Sequence, residues 1–420
     1  MLTTDENERI TRIGPGTPMG AVFRRYWLPA LLSSEVPEAD GAPVRVRLLG
    51  EDLIAFRDSS GTVGLVGAFC PHRRAPMFFG RNEDGGIRSV YHGWKFDVAG
   101  TCVDMPSEPP DSLFKTKVTL DAYPTWEGAG IVWAYLGPAE LRPPPPDSEL
   151  LRAPATHRHV SKTFEDANYL QALEGGFDSA HVTILHNQNI GDGSFLRRFA
   201  ATVPQIDVER TDYGFRYSAI RTHPDRQMVR VYHYVMPVTQ IRGQNIAFDP
   251  EILTINGHFW VPVDDTHTAT YNWMYSDDPA IPLTQAFIDA AEHEIGRGPE
   301  DMDPERPFHI KANLANDFLI DRELQKRTFT GIPGINTQDI AVQTAMGPIV
   351  DRSREHLGTT DRAIIVLRQL LLEAVDVTAA GGRPRGVDSA GYAHVRADSH
   401  DVALGADWRD ALRERLLARF

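Results

Sequence analysis

Two short stretches decide how this chain is read: Cys70-Pro71-His72 and, after sixteen intervening residues, Ser89-Val90-Tyr91-His92-Gly93-Trp94. A two-iron, two-sulfide cluster with thiolates on one iron and imidazoles on the other is built from two loops, Cys-x-His and Cys-x-x-His. Cys70, His72 and His92 fit that form, and Ser89 stands where the second thiolate belongs. Serine offers a hard oxygen that resists deprotonation in place of a soft thiolate, so it should hold a cluster less well and shift its potential. The flanking run Tyr91-His92-Gly93-Trp94-Lys95-Phe96-Asp97 is aromatic and turn-forming, as a lid over a cluster requires.

Outward from these loops, 420 residues exceed the length over which one core keeps growing, so two domains are expected. A net charge of −14 argues against nucleic acid and anionic membranes as partners, and an acidic surface suits a basic redox partner. No apolar run approaches a membrane span and Met1-Leu2-Thr3-Thr4-Asp5-Glu6 lacks the features of an export signal, so a cytoplasmic location is expected. Of two cysteines, Cys70 belongs to the metal motif; Cys102 has the wrong spacing to replace the missing thiolate and reads as a buried structural thiol.

A helical stretch is expected over Met19 to Leu32. From about Val44 to Tyr135 short apolar runs such as Val44–Leu49 and Leu53–Phe56, punctuated by glycine and proline, predict an antiparallel β-domain closed by Gly130–Gly137. Pro143-Pro144-Pro145-Pro146-Asp147 is a stiff spacer. Beyond it, strands are expected at Tyr213–Arg221, Met228–Arg242, Gly257–Val263 and Thr266–Ser276, the last two joined by a tight turn at Asp264-Asp265. Helices are expected at Tyr169–His186, Leu283–Ile295 and Arg362–Ala374. The fold class is therefore α+β: an N-terminal all-β domain and a C-terminal domain around a central antiparallel sheet. The division reads as 1–40, a helical segment packing on the C-terminal domain; 41–142, the cluster domain; 143–153, linker; and 154–420, the second domain.

The second dense constellation is Asp178-Ser179-Ala180-His181-Val182-Thr183-Ile184-Leu185-His186. Two histidines and a carboxylate on one face of Fe(II) leave the opposite face open for dioxygen and substrate. Asp178 and His181, three apart, share a helix face, whereas His181 and His186 would diverge by roughly 140° on a regular helix. Both bind one metal only if the helix ends, bends or bulges between them. The third ligand must come from elsewhere: Asp339 is the candidate, with Asp317 and Asp321 as rivals, and an aspartate at a helix start is also a common cap.

With both motifs in hand, the chain resembles the oxygenase (alpha) subunits of Rieske non-haem iron aromatic-ring-hydroxylating oxygenases, within the phthalate-dioxygenase-like group, over nearly its whole length. Arg12-Ile13-Gly14-Pro15-Gly16-Thr17-Pro18-Met19-Gly20, Thr337-Gln338-Asp339-Ile340-Ala341, Met346–Arg352 and Glu355-His356-Leu357-Gly358 add to the likeness. The resemblance implies a Rieske [2Fe-2S] domain, a helix-grip domain with mononuclear Fe(II), use of O2, electrons from NAD(P)H through a separate flavin/iron-sulfur reductase, and homotrimers or stacked hexamers. It favours Asp339 as the carboxylate ligand. It also makes Asp178 a bridge between His92 of one subunit and His181 of the next, with the expectation that Asp178→Asn spares both metals and blocks turnover.

Members of that group act mainly on aromatic carboxylates, by ring dihydroxylation or O-demethylation. An anionic substrate calls for an arginine, and Arg216, Arg221, Arg230 and Arg242 on expected strands are the candidates. The departure at Ser89 admits an introduced change, a tolerated oxygen ligand or a lost cluster. An alternative function follows from the last, a cluster-deficient, non-catalytic subunit. The intact surroundings of Ser89 favour a recent change over long decay.

Overall fold

In a computed structural model, which describes residues 1–186, 203–243 and 252–420, the chain forms two compact units: Ile13–Pro145, and Pro146–Phe420 together with Met1–Arg12. The first is built of small antiparallel sheets. Trp27–Leu32 and Thr125–Gly128 flank Ile131–Tyr135. Val44–Leu48, Glu51–Arg57, Val63–Gly67 and Ala122–Tyr123 form a second sheet, and Arg81–Glu83, Gly86–Arg88, Lys95–Phe96 and Cys102–Asp104 a third. Ile54, Phe56, Val66, Met77, Ile87, Trp94 and Phe96 are among its core, with both cysteines buried in the same cluster.

Three expectations change here. Met19–Leu32 is a short helix, Pro18–Phe23, followed by the strand Trp27–Leu32, because Pro29 cannot sit inside a helix and the apolar run Leu28–Leu32 pairs instead with Ile131–Tyr135. That pairing draws residues 13–40 into the first unit, so only Met1–Arg12 of the expected N-terminal segment clusters with the second. The expected linker 143–153 ends early: Glu149–Arg152 is a helical turn of the second unit, where buried Glu149 accepts from the Tyr275 hydroxyl at 2.7 Å.

The second unit centres on an antiparallel sheet with the order Arg158–Glu165, His267–Ser276, Thr254–Asp264, Thr239–Arg242, Arg226–Val235, Gly214–Thr222, Gln205–Arg210, with Ser399–Ala403 also on Arg226–Val235. The expected strand Met228–Arg242 is two strands, interrupted at residues 236–238 where Pro237 offers no donor to a ladder. Helices Tyr169–Phe177, Gln285–Glu294, Ile335–Ala345 and Arg362–Ala379 accompany the sheet. Phe177, the last residue of its helix, packs against Phe215, Tyr234 and Trp260 with ring centroids 5.3 to 6.4 Å apart. That aromatic contact seats the helix end on the sheet, one residue before Asp178.

Candidate active site

In the first unit, the loop after Cys70 closes through Cys70 N–H to Ala75 O and Arg74 N–H to Cys70 O, both 2.9 Å. The loop after Ser89 closes through Ser89 N–H to Trp94 O at 2.8 Å and Gly93 N–H to Ser89 O at 3.0 Å. Gly93 is at φ +76°, and a Cβ there would lie 2.6 Å from Pro106 Cγ, so the turn needs glycine. The His72 and His92 rings meet with centroids 4.2 Å apart, and His72 stacks on Trp94 at 4.3 Å. His72 Nδ1 is buried without a hydrogen-bond partner, as a nitrogen meant for a metal would be. Burial, then the charges of His72 and Arg73, pull the His92 imidazole below its ordinary value, which favours the neutral, metal-binding form. These residues fit a Rieske cluster with one altered donor.

In the second unit the helix Tyr169–Phe177 stops at Asp178, whose extended backbone (φ −85°, ψ 110°) ends it. The expected helix through His186 is therefore broken, and Asp178 and His181 share no helix face. Asp178 instead folds its carboxylate over the next turn, accepting from Ala180 N–H at 2.7 Å and His181 N–H at 3.3 Å. His181 then caps the short helix Val182–Leu185, and His186 ends it. A single helical turn begun by one histidine and finished by the other brings both rings to one point, 5.2 Å apart.

Asp339, inside the helix Ile335–Ala345 rather than at its cap, supplies the acid. Its Oδ1 lies 3.5 Å from His181 Nε2 and 3.3 Å from His186 Nε2, and one donor atom from each of the three residues falls within 4.8 Å of the others. Asp317 and Asp321 are exposed elsewhere, Asp321 capping the helix Arg322–Gln325. Gln338 Nε2 donates to Ile332 O at 2.8 Å, which turns Oε1 to accept from His186 Nδ1–H at 2.8 Å and leaves His186 Nε2 for a metal. Asp178 Oδ2 lies 3.5 Å from His181 Nδ1 and orients the other ring. Burial disfavours a charged His181, but Asp178 and Asp339 prevail and raise it to about 10. The site thus holds a concentrated negative field that a cation would satisfy. Asp339 is held far below the usual carboxylate range by His186 and His181 despite its burial. Two imidazoles and a carboxylate fit ferrous iron with open coordination positions.

A cavity of about 90 Å³ opens on this triad. Of the four candidate arginines, Arg230 and Arg242 line it. Arg216 pairs with Glu209, and Arg221 donates to Ser179 O at 2.9 Å away from it. Arg242 donates to Asn256 Oδ1 at 2.5 Å and, among the described residues, forms no ion pair. Burial and the charge of Arg230 pull it down to about 10. Glu165 and His258 also line the cavity and were missed in the sequence. Glu165 accepts from Thr270 at 2.6 Å with its other oxygen unpartnered, and burial and Asp339 raise it to about 7. A second cavity, shared through Arg242 and His258, is lined by Arg297 and Glu292.

The Rieske [2Fe-2S] domain matches residues 26–124, and the LigXa C-terminal domain like family matches residues 134–415. The chain is 39% identical to phthalate 4,5-dioxygenase oxygenase subunit of Pseudomonas putida, over 98% of this chain and 94% of that one. It is 31% identical to 5,5'-dehydrodivanillate O-demethylase oxygenase subunit of a Sphingobium species, over 100% and 90%. Its fold is similar to that of the terminal oxygenase of carbazole 1,9a-dioxygenase from Nocardioides aromaticivorans IC177, with TM-score 0.60 and 19% identity, covering 88% of this chain and 96% of that one. No helix among the described residues is long and apolar enough to cross a membrane.

Proposed function

The chain belongs to the Rieske non-haem iron aromatic-ring-hydroxylating oxygenases, as an oxygenase subunit of their phthalate-dioxygenase-like group, and from that premise we propose that it hydroxylates an aromatic carboxylate held beside Asp339, His181 and His186. The observation that carries the substrate class is Arg242, a guanidinium at the iron cavity that is repelled by the neighbouring Arg230 and, among the described residues, forms no ion pair. A carboxylate accepts both forks of such a group and relieves the repulsion between Arg230 and Arg242.

When bound, the Rieske cluster supplies single electrons and the mononuclear iron activates dioxygen next to the substrate. The chain's own residues do the positioning. Gln338 and Asp178 fix the ring tautomers of His186 and His181, Asp339 supplies the anionic donor, and Arg242 with Arg230 holds the acid so that one ring edge faces the metal. Trp260 and Ile340 give the cavity apolar wall. Electrons come from NAD(P)H through a separate reductase, and subunits assemble as trimers or stacked trimers in which Asp178 also reaches His92 of the partner subunit. Ring dihydroxylation is favoured by the relative at 39% identity; O-demethylation differs only in which carbon faces the iron.

The test supplies the chain, a flavin/iron-sulfur reductase, NADH and 18O2 with benzoate, the phthalate isomers and methoxybenzoates. Dihydroxylation places two labelled oxygens in the product, and demethylation releases formaldehyde. Arg242→Gln should raise KM for the acid about 10- to 100-fold, the cost of losing a charged hydrogen-bond partner, with little effect on the corresponding neutral amide. NADH-dependent oxidation of no acid, even after cysteine is placed at position 89, would overturn the reading.

A further inference from the structure

We propose that Ser89 is itself a ligand of the two-iron cluster, binding iron through Oγ as an alkoxide where its relatives' pattern has a thiolate. The inference rests on this chain assembling the cluster of its family and goes further, naming an unusual ligand set for it.

Ser89 keeps the ligand's place. Its backbone pairs with Trp94 and Gly93 in the closed turn described above, Arg88 Nη1 donates to Gly93 O at 2.6 Å, and the glycine the turn requires is present. The residue is 2% exposed, as is Cys70. Among the described residues the Ser89 hydroxyl makes no hydrogen bond, which leaves its oxygen available to a metal. His72 Nδ1, in the facing loop, is buried and unpartnered too. Two polar atoms without partners in two loops that also present Cys70 and His92 are what a bound cluster would satisfy together.

Cys102 is the rival sulfur. It lies on the strand Cys102–Asp104, opposite Phe96 and inside the apolar core, with its Sγ turned to Asp104 O at 3.6 Å. It would have to leave that core to reach the place Ser89 already occupies.

On binding, the Ser89 Oγ–H bond breaks, an Oγ–Fe bond forms and the proton leaves to water; no electron is exchanged. An alkoxide concentrates its charge on a small hard oxygen and stabilises ferric iron more than a thiolate does. The cluster should therefore be harder to reduce, and once reduced a stronger donor, than the same chain with two thiolates.

The experiment measures iron and acid-labile sulfide per chain, the visible spectrum and the reduction midpoint of the whole protein, in wild type, Ser89→Ala, Ser89→Cys and Cys102→Ala. Expected are about three irons and two sulfides in wild type, Ser89→Cys and Cys102→Ala, and about one iron and no sulfide in Ser89→Ala, following the two cofactor compositions. The retained mononuclear iron reports that Ser89→Ala is folded. The midpoint should be more negative in wild type than in Ser89→Cys, with weaker sulfur-to-iron absorption. A cluster that survives Ser89→Ala, that is lost in Cys102→Ala, that is missing from wild type, or whose potential is unmoved by Ser89→Cys overturns the assignment. Oxygenation by Ser89→Cys is a separate reading: its failure would count against the proposed reaction and leave the ligand question to the iron and sulfide counts.

Discussion

Gln338 shows how a residue with no metal chemistry of its own can govern a metal site. Fully buried, it spends its amide nitrogen on Ile332 O and its oxygen on His186 Nδ1–H, so His186 has one orientation and one free nitrogen. Gln338→Leu keeps the bulk and removes the acceptor; iron affinity, read by competition with a chelator, should fall about 10- to 100-fold. No spacing rule marks such a residue. Cys70, His72, His92, His181 and His186 stood out because residues able to donate to a metal are rare at short intervals by chance, and Asp339, shortlisted as the acid that had to arrive from another segment, does come together with His181 and His186. Gln338, Glu165 and His258 carry no such signal, since each becomes relevant only once strand and helix are packed. The arginines fail for a related reason. Arg216 and Arg221, five apart on Gly214–Thr222, point to opposite faces of the sheet, and only the observed packing tells which arginine reaches the cavity.

The helix Tyr169–Phe177 is the element that delivers the site, and it is clamped at both ends. Tyr169 donates to Ile10 O at 2.7 Å, and Asn168 to Thr11 O at 2.9 Å, tying its start to the helix Thr4–Thr11. One turn before Asp178, buried Glu174 accepts from Arg352 at 3.0 Å and Arg368 at 2.6 Å, and Arg368 also holds Glu355. The segments around Arg352 and Glu355, noticed in the sequence as a family likeness, thus have a mechanical meaning. Burial alone would neutralise Glu174, yet its two arginines keep it below the usual carboxylate range. Glu174→Gln leaves two guanidiniums underpaired and should cost about 3–5 kcal/mol in urea unfolding while loosening Asp178 and His181. At this scale the sequence was half legible. The five-residue interval between His181 and His186 demanded an interrupted helix, but that Asp178 would interrupt it needed the cap geometry. A second device sits in the strand Arg226–Val235. His233 accepts from the Tyr213 hydroxyl at 2.7 Å and donates to Arg396 O at 3.1 Å, and burial followed by the charge of Arg216 pulls it to about 3 from 6.5. Between those values the unfolded chain takes a proton that the folded chain refuses, so stability falls as pH drops below 6.5. At pH 5 this group alone should account for about 2 kcal/mol, and the loss of stability from pH 7 to pH 5 should be smaller by about that amount in His233→Gln.

For the molecule as a whole, the cluster loops and the iron triad belong to different compact units of one chain, and the proposed path passes electrons from the cluster of one subunit to the iron of its neighbour. That arrangement can be separated from transfer within a chain by mixing two dead subunits. His92→Ala removes a proposed cluster ligand and leaves His181, His186 and Asp339 intact; Asp339→Asn removes a proposed iron ligand and leaves the cluster loops intact. Each alone should give no product. Co-expressed, they assemble rings in which some intact iron sites lie beside an intact cluster, and for random mixing around head-to-tail interfaces about a quarter of wild-type activity should return. Transfer within one chain predicts that nothing returns, because no chain in the mixture carries both sites. Iron and sulfide counts on the isolated variants show that each has lost only its own centre. The Asp178→Asn chain completes the comparison: it should hold both metals, accept electrons from the reductase at the cluster and fail to pass them on. In mixed rings it should rescue His92→Ala about as well as Asp339→Asn does, because the His92→Ala chain brings its own Asp178 and iron site and needs only an intact cluster from its neighbour; it should not rescue Asp339→Asn, because no chain in that mixture carries both the bridging carboxylate and an intact iron site.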